Sequence, residues 1–205
     1  MKKRVITISR QHGSAGRAIG HMVEEKLGIK CYDQQLIEMI AKESGFAADF
    51  IEENGEKVTN SLLFNIATSL TFAYNTFSKE RMSLQDQLFI AQGRVIKDLA
   101  EKEPCVIVGR CADFVLRGSE ARLLRVFISA PEEHRVVRKM EQEQLTRTQA
   151  VRLVRKMDKQ RRKYYESYTK RVWGDPSHYD LCIDTGSCTL DEAAARIAAA
   201  FREMT

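Results

Sequence analysis

Five short runs of apolar residues recur along the chain, at 5–9, 29–32, 105–109, 124–129 and 179–184. Each is rich in Val, Ile, Leu or Cys and alternates little with polar residues. That is the pattern of strands buried on both faces of a parallel sheet. The segments between them carry helical periodicity. Residues 15–27 place Ile19, Val23 and Leu27 on one face, and 84–101 repeat Leu88, Ala91, Val95 and Leu99. Residues 189–203 open with Thr189 and Glu192 in capping-box spacing and continue through alanines. Pro131, followed by Glu132 and Glu133, suits the first turn of a further helix. Strand then helix, repeated, predicts an α/β fold with right-handed crossovers. The stretch from 33 to 104 is too long for one crossover and reads as several helices, a place for a second wall of a binding site. None of the three prolines marks a domain linker, so one domain is expected over 1–205.

Composition adds little until charge is considered. Hydrophobic residues make up 43% and charged residues 30% of 205 residues, ordinary for one globular core. No apolar run approaches the ~18 residues of a membrane helix. The opening MKKRVITIS has an apolar stretch of about four residues, against the roughly 7–15 of a signal core, so a cytoplasmic protein is expected. Five cysteines form no Cys-x-x-Cys pair; Cys31, Cys105 and Cys182 lie in apolar runs. They read as small hydrophobes in a reducing compartment, with no disulfide and no zinc site. The histidines show no metal spacing. The net charge of +5 is uneven: residues 145–171 hold ten Lys or Arg against Asp158 and Glu166, an excess of +8 that leaves −3 for the remainder. A basic segment on a slightly acidic body points to a local polyanion, either nucleotide phosphates or nucleic acid.

Four sets of residues carry candidate chemistry. Ser9 to Arg17, SRQHGSAGR, joins the first strand to the first helix. A glycine-bearing turn there exposes backbone N–H groups at a helix N-terminus, a cradle for phosphate. Measured against G-x-x-x-x-G-K-[ST], Gly16 matches the second glycine. Gln11 stands at the first, Arg17 at the lysine and Ala18 at the metal-binding hydroxyl. The second is Arg110, at the carboxyl end of a buried strand, where open α/β sheets bind ligands. It grips a phosphate or pairs with a structural carboxylate. The third is the basic segment, with Arg155, Lys159 and Arg162 on one helical face and Asp158 a turn from Arg155, Arg161 and Arg162. It reads as a cluster closing over polyphosphate, or as a solvated face. Tyr164, Tyr165, Tyr168 and Trp173 among these cations are favoured as a buried stripe over a nucleic-acid stacking platform. The fourth is Asp33 after the second strand, equally a proton acceptor, a holder of metal-bound water, or a helix N-cap.

Taken in order, ITISRQHGSAGRAIG, YDQQLI, IVGR, VFISAPEEHRVVR, DKQRRKYYESY and YDLCIDTG resemble the cytidylate kinase-like family over nearly the whole chain. The resemblance implies a P-loop fold with a five-stranded parallel sheet flanked by helices, a helical acceptor-binding insertion (34–103) and a helical lid (145–171), the core being 1–33, 104–144 and 172–205. It implies ATP and Mg²⁺ as cofactors and transfer of a phosphoryl group to a nucleoside monophosphate such as CMP or dCMP. By position, Gly13, Ser14, Ala15, Gly16 and Arg17 resemble the donor-phosphate loop. Arg110, Arg135, Arg155, Asp158, Arg161 and Arg162 resemble acceptor and lid residues, with Arg17, Asp33, Arg110 and Arg161 as the catalytic set. No motif binds metal directly; Asp33 holds it through water. ATP and a phosphorylated small molecule are the expected partners, and nucleic acid is not. Gln34, Gln35 and Met39 depart from the family's usual acceptor residues, leaving Arg81 or Arg94 as substitutes for a missing arginine. The altered loop also admits a second reading, a nucleotide- or nucleic-acid-binding module without turnover.

Overall fold

The computed structural model describes residues 3–56 and 83–204. The central strand β1 (Arg4–Arg10) is hydrogen-bonded in parallel to β3 (Cys105–Val108) on one side and β4 (Arg122–Ser129) on the other. With β2 (Lys30–Tyr32) and β5 (Leu181–Asp184) outside them, the order is β2-β3-β1-β4-β5. All four pairings are parallel.

Alternation along the strands supplies two cores. On one face Ile6, Ile8, Val106, Val108, Val126, Ile128 and Ile183 meet α1 (Gly16–Leu27), through Ile19 and Val23, and the C-terminal helix α8 (Leu190–Glu203). The short alanines of α8 let it lie close to α1, and its N-terminus carries the capping box of Thr189 and Glu192. On the other face Val5, Cys105, Ile107 and Phe127 meet α2 (Gln34–Ser44), α3 (Ala48–Asn54), α4 (Leu84–Lys102) and the short α5 (Ala112–Val115). The basic segment forms α7 (Arg147–Thr169), preceded by α6 (Glu132–Glu143).

The aromatic residues of α7, and Trp173 just beyond its end, join this second core. Tyr164, Tyr165, Tyr168 and Trp173 are all buried, and Tyr168 stacks on Phe89 with centroids 4.1 Å apart. Their hydroxyl groups are paired inside: Tyr164 with Gln92 at 3.0 Å, Tyr165 with Asp113 at 2.7 Å, Tyr168 with Asp86 at 3.0 Å. No face is left for stacking bases, so the buried-stripe reading is the correct one.

Three local expectations are corrected. Pro131 is the N-cap of α6 rather than a residue of its first turn, because its ψ of 142° is extended. The last strand begins at Leu181, not 179, since Pro176–His178 turn in a 3-10 helix just before it. Cys182 is exposed, because β5 is an edge strand with only Ile183 turned fully inward.

Candidate functional site

The carboxyl ends of β1, β2 and β3 open onto a cavity of about 410 Å³. Its floor is the turn from β1 to α1. Gln11 keeps the chain in the ladder: its N–H donates to Ile128 O at 2.9 Å, and its side-chain oxygen accepts from Ala130 N–H at 3.1 Å. Gly13 then turns with φ +80°, where a Cβ would lie 2.9 Å from the Arg135 carbonyl oxygen. The Ser14 hydroxyl donates to Gln11 O at 2.9 Å and Ile128 O at 3.0 Å, alternatives that both anchor the turn to backbone. Ala15 is left-handed at φ 64°, a conformation that costs a residue with a Cβ about 1 kcal/mol or more. Gly16 opens α1 at a point where a Cβ would sit 2.6 Å from Cβ of Arg10. The helical ladder begins with Ile19 N–H to Ala15 O, so the N–H groups of Gly16, Arg17 and Ala18 precede it and lie along the cavity. Exposed N–H groups at a helix N-terminus are of the kind that can hold an anion, and here the chain is packed too tightly for side chains at 13 and 16.

Asp33 is the N-cap residue of α2, yet its side chain makes no cap bond. The buried carboxylate pairs instead with the Arg17 guanidinium, which is 59% exposed. The N-cap alternative is thereby set aside, and Asp33 and Arg17 stand together on the cavity wall.

The opposite wall is a cluster of arginines around one acid. Glu56 accepts from Arg10 Nη1 at 3.0 Å and from Arg161 Nε at 3.0 Å, and the Arg110 N–H lies 3.5 Å from it. Arg161 also donates to Arg10 O at 3.3 Å, and the Arg110 side chain to Ile51 O at 3.4 Å. Gly109 and Arg110 are both left-handed, and a Cβ on Gly109 would fall 2.1 Å from Arg10 Nη1. Burial alone would push the Glu56 carboxyl up, but Arg10, Arg161 and Arg110 outweigh it and hold it well below the carboxylate range. Glu56 is therefore an ionised anchor for three cations.

The other sequence candidates separate here. Arg135 is buried and donates to Ala130 O at 2.9 Å, His12 O at 3.2 Å and Asp158 at 2.5 Å; Asp158 also accepts from His12 N–H at 2.7 Å. These two residues fasten the turn between β1 and α1 to α6 and α7 and do not line the cavity. Arg155 turns outward to Glu132 at 2.7 Å, and Arg162 is exposed outside the cavity. The expected face of Arg155, Lys159 and Arg162 is thus not brought to the site; Arg161 alone of the four reaches it. Arg94 pairs with Glu43 at 3.6 Å, away from the cavity, and Arg81 lies outside the described residues. Sequence reasoning missed Arg10, Glu56, Arg138 and Lys139, which line the cavity. Arg138 donates to Gly13 O at 2.5 Å.

The donor set suits polyphosphate and fits a divalent ion poorly. Ala18 offers no oxygen, the Ser14 hydroxyl is bound to backbone, and Asp33 is engaged by Arg17. An ion would be held by the nucleotide's own oxygens and by water on Asp33. No helix among the described residues is long and apolar enough to cross a membrane.

Comparison with solved structures gives a protein from Eubacterium ventriosum, described as uncharacterized, at 26% identity and TM-score 0.73, covering 98% of this chain and 99% of that one. Shikimate kinase from Acinetobacter baumannii in complex with shikimate matches at 14% identity and TM-score 0.52, over 99% and 96%. APS kinase from Mycobacterium tuberculosis in complex with AMPPNP and APS matches at 13% and 0.50, over 98% of each chain. The latter two share the fold of P-loop kinases. No curated protein matches. The sequence profile of the cytidylate kinase-like family matches residues 5–187, nearly the whole length, and the chain belongs to that family.

Proposed function

We propose that the protein is a kinase that passes the γ-phosphoryl group of ATP to a nucleoside monophosphate, with CMP or dCMP favoured by family. Family membership and the P-loop kinase fold support nucleotide-dependent phosphotransfer in general. The observation that carries the finer reading is the meeting, in one cavity, of a backbone phosphate cradle and the guanidinium groups of Arg10, Arg110 and Arg161. Phosphoryl transfer asks the protein mainly for alignment and charge stabilisation. The N–H groups of Gly16 to Ala18 hold the donor phosphates, Arg17 neutralises them at the mouth, and Arg110 grips the acceptor phosphate. Arg161 meets the charge on the group in flight. A phosphate nucleophile is already ionised at neutral pH, so Asp33 serves to hold Arg17 and water rather than to remove a proton. Mg²⁺ bound to ATP would be held on the protein side through water on Asp33 alone and would add neutralisation of the phosphate oxygens. Of the stretch 34–103, Ile37, Glu52, Glu53 and Glu56 make the acceptor wall. Of 145–171, Arg161 reaches the cavity from a helix whose tyrosines are packed into the core, so this segment serves as a fixed cover and not as a lid that opens. The working place is the cytoplasm, where ATP and nucleotides are at hand.

One observation favours the binding-module reading: Ala18 leaves the loop without a hydroxyl for a metal. A coupled assay of ADP release with Mg-ATP and each of CMP, dCMP, UMP, AMP and GMP decides between them. Release above the ATP-only background with one acceptor supports the kinase. ATP binding with no release for any of them leaves the binding module. Arg155→Ala is expected to leave kcat/KM within about twofold, because an exposed pair such as Arg155 with Glu132 contributes little. A larger loss would place Arg155 in the working site after all.

A further inference from the structure

The guanidinium of Arg110 is held by shape more than by bonding. Its side chain makes one hydrogen bond among the described residues, from Nη1 to Ile51 O at 3.4 Å, long for an N–H···O bond. Directly against it lies Gly55, the C-cap residue of α3. A Cβ at position 55 would fall 1.5 Å from Arg110 Nη1 and 2.7 Å from its Cζ. The guanidinium therefore occupies the space that the first side-chain carbon of any other residue would take. The backbone does not ask for glycine here, because a φ of −68° is open to every residue.

The chain is fastened on both sides of this contact. Gly55 N–H donates to Ile51 O at 2.8 Å, and Gly55 O accepts from the buried Gln92 Nε2 at 3.2 Å. Gln92 on α4 accepts in turn from the Tyr164 hydroxyl on α7 at 3.0 Å. Opposite, Gly109 N–H donates to Ile8 O at 2.9 Å, and Arg110 and Cys111 are set in the left-handed region at φ 57° and 55°. A Cβ at 55 would also meet Ile51 O at 2.5 Å, so the last turn of α3 gives a little, but the larger overlap is with the free end of Arg110. Reaching ordinary contact would carry that end away by about 2 Å.

We propose that Gly55 is a positioning residue for phosphoryl transfer: its bare α-carbon is the seat that sets where the Arg110 guanidinium meets the acceptor phosphate. Arg110 lines the cavity and Gly55 does not, so Gly55 acts through the arginine and touches no substrate. The inference rests on the reading that Arg110 grips that phosphate. A displacement of ~1 Å is enough to cost about 10²-fold where a group has to meet a reacting centre in register. The tie through Gln92 to Tyr164 makes the seat part of the same buried framework that carries Arg161 on α7.

Gly55→Ala, Arg110→Ala and the double variant are compared with wild type in the coupled ADP-release assay, with Mg-ATP and CMP. Gly55→Ala is expected to lower kcat/KM for CMP by about 10²-fold, mainly through KM for CMP, with KM for ATP within about twofold. In the Arg110→Ala background there is no guanidinium to displace, and the same substitution should cost no more than about twofold. An equal loss in both backgrounds would place the effect of the methyl group on the turn at Ile51 and overturn the proposal. Wild-type kinetics in Gly55→Ala would overturn it as well. Should Gly55→Ala melt too low to assay, melting temperatures decide. A Tm regained when Arg110→Ala is added identifies the guanidinium as the occupant of the seat, and a Tm equally low in both variants overturns the proposal. Undiminished turnover of CMP by Arg110→Ala, or no turnover of CMP by wild type, removes the acceptor-phosphate reading, and the proposal with it.

Discussion

Arg161→Ala is expected to lower kcat by about 10²-fold while KM for ATP and acceptor moves by no more than about threefold. Arg161 is the residue by which the basic helix α7 enters the cavity. Its Nε is held by Glu56 at 3.0 Å and its Nη1 by Arg10 O at 3.3 Å. With both bonds made, the guanidinium is fixed before any substrate arrives. A fixed charge of this kind contributes most where negative charge shifts during reaction, because it needs no reorganisation at that moment. Arg161→Lys should recover only part of the loss, since a single ammonium group cannot reproduce the fork that spans Glu56 and the Arg10 carbonyl. Steady-state kinetics of both variants is the measurement. A rise in KM with kcat unchanged would instead make Arg161 a ground-state binding residue, and melting curves taken alongside separate either effect from a loss of fold.

The same arginine shows where sequence reading succeeds and where it stops. Patterns local in sequence were legible. The apolar runs gave the five parallel strands, Thr189 with Glu192 gave the cap of α8, and the periodic aromatics of α7 gave a buried stripe. The choice between Arg155, Arg161 and Arg162 was not legible. Neighbouring residues on a helix lie about 100° apart, and only the position of α7 over β1 selects which of them points inward. Arg155 therefore reached Glu132 on α6, one turn or more from the side chain it was expected to join. Asp33 was open for a related reason. An acid after a strand and before a helix caps that helix unless a cation competes, and the competing Arg17 comes from the first turn of α1. Glu56 was invisible altogether. It lies 46 residues from Arg10 and 105 from Arg161, within an insertion whose acids look alike in sequence.

Glu56→Ala is expected to destabilise the protein by about 2–4 kcal/mol, a fall in Tm of roughly 5–15 °C for a chain of this size. The reason is the cations left behind. Arg10 and Arg161 have only 15% and 12% of their side chains exposed, so neither can recover full hydration when the carboxylate is removed. Arg110, with Gly109 held close to Arg10, keeps a third positive charge in the same space. The remaining exposure places the cost below that of breaking a fully buried pair. Dependence on pH separates this account from a simple loss of packing. The folded pKa of Glu56 lies well below the unfolded value of about 4.3, so its contribution is complete above the unfolded value and is lost as pH falls toward the folded one. The stability gap between wild type and Glu56→Gln should accordingly stay constant from neutral pH to about 5 and close progressively below about 4. Urea denaturation of wild type, Glu56→Ala and Glu56→Gln across that range measures it. A gap that does not change on acidification would mean that shape, and not charge, is what Glu56 supplies. Inorganic sulfate offers a second readout: it should raise the Tm of Glu56→Ala more than that of wild type, because an anion entering the cavity finds three guanidinium groups no longer shared with a carboxylate.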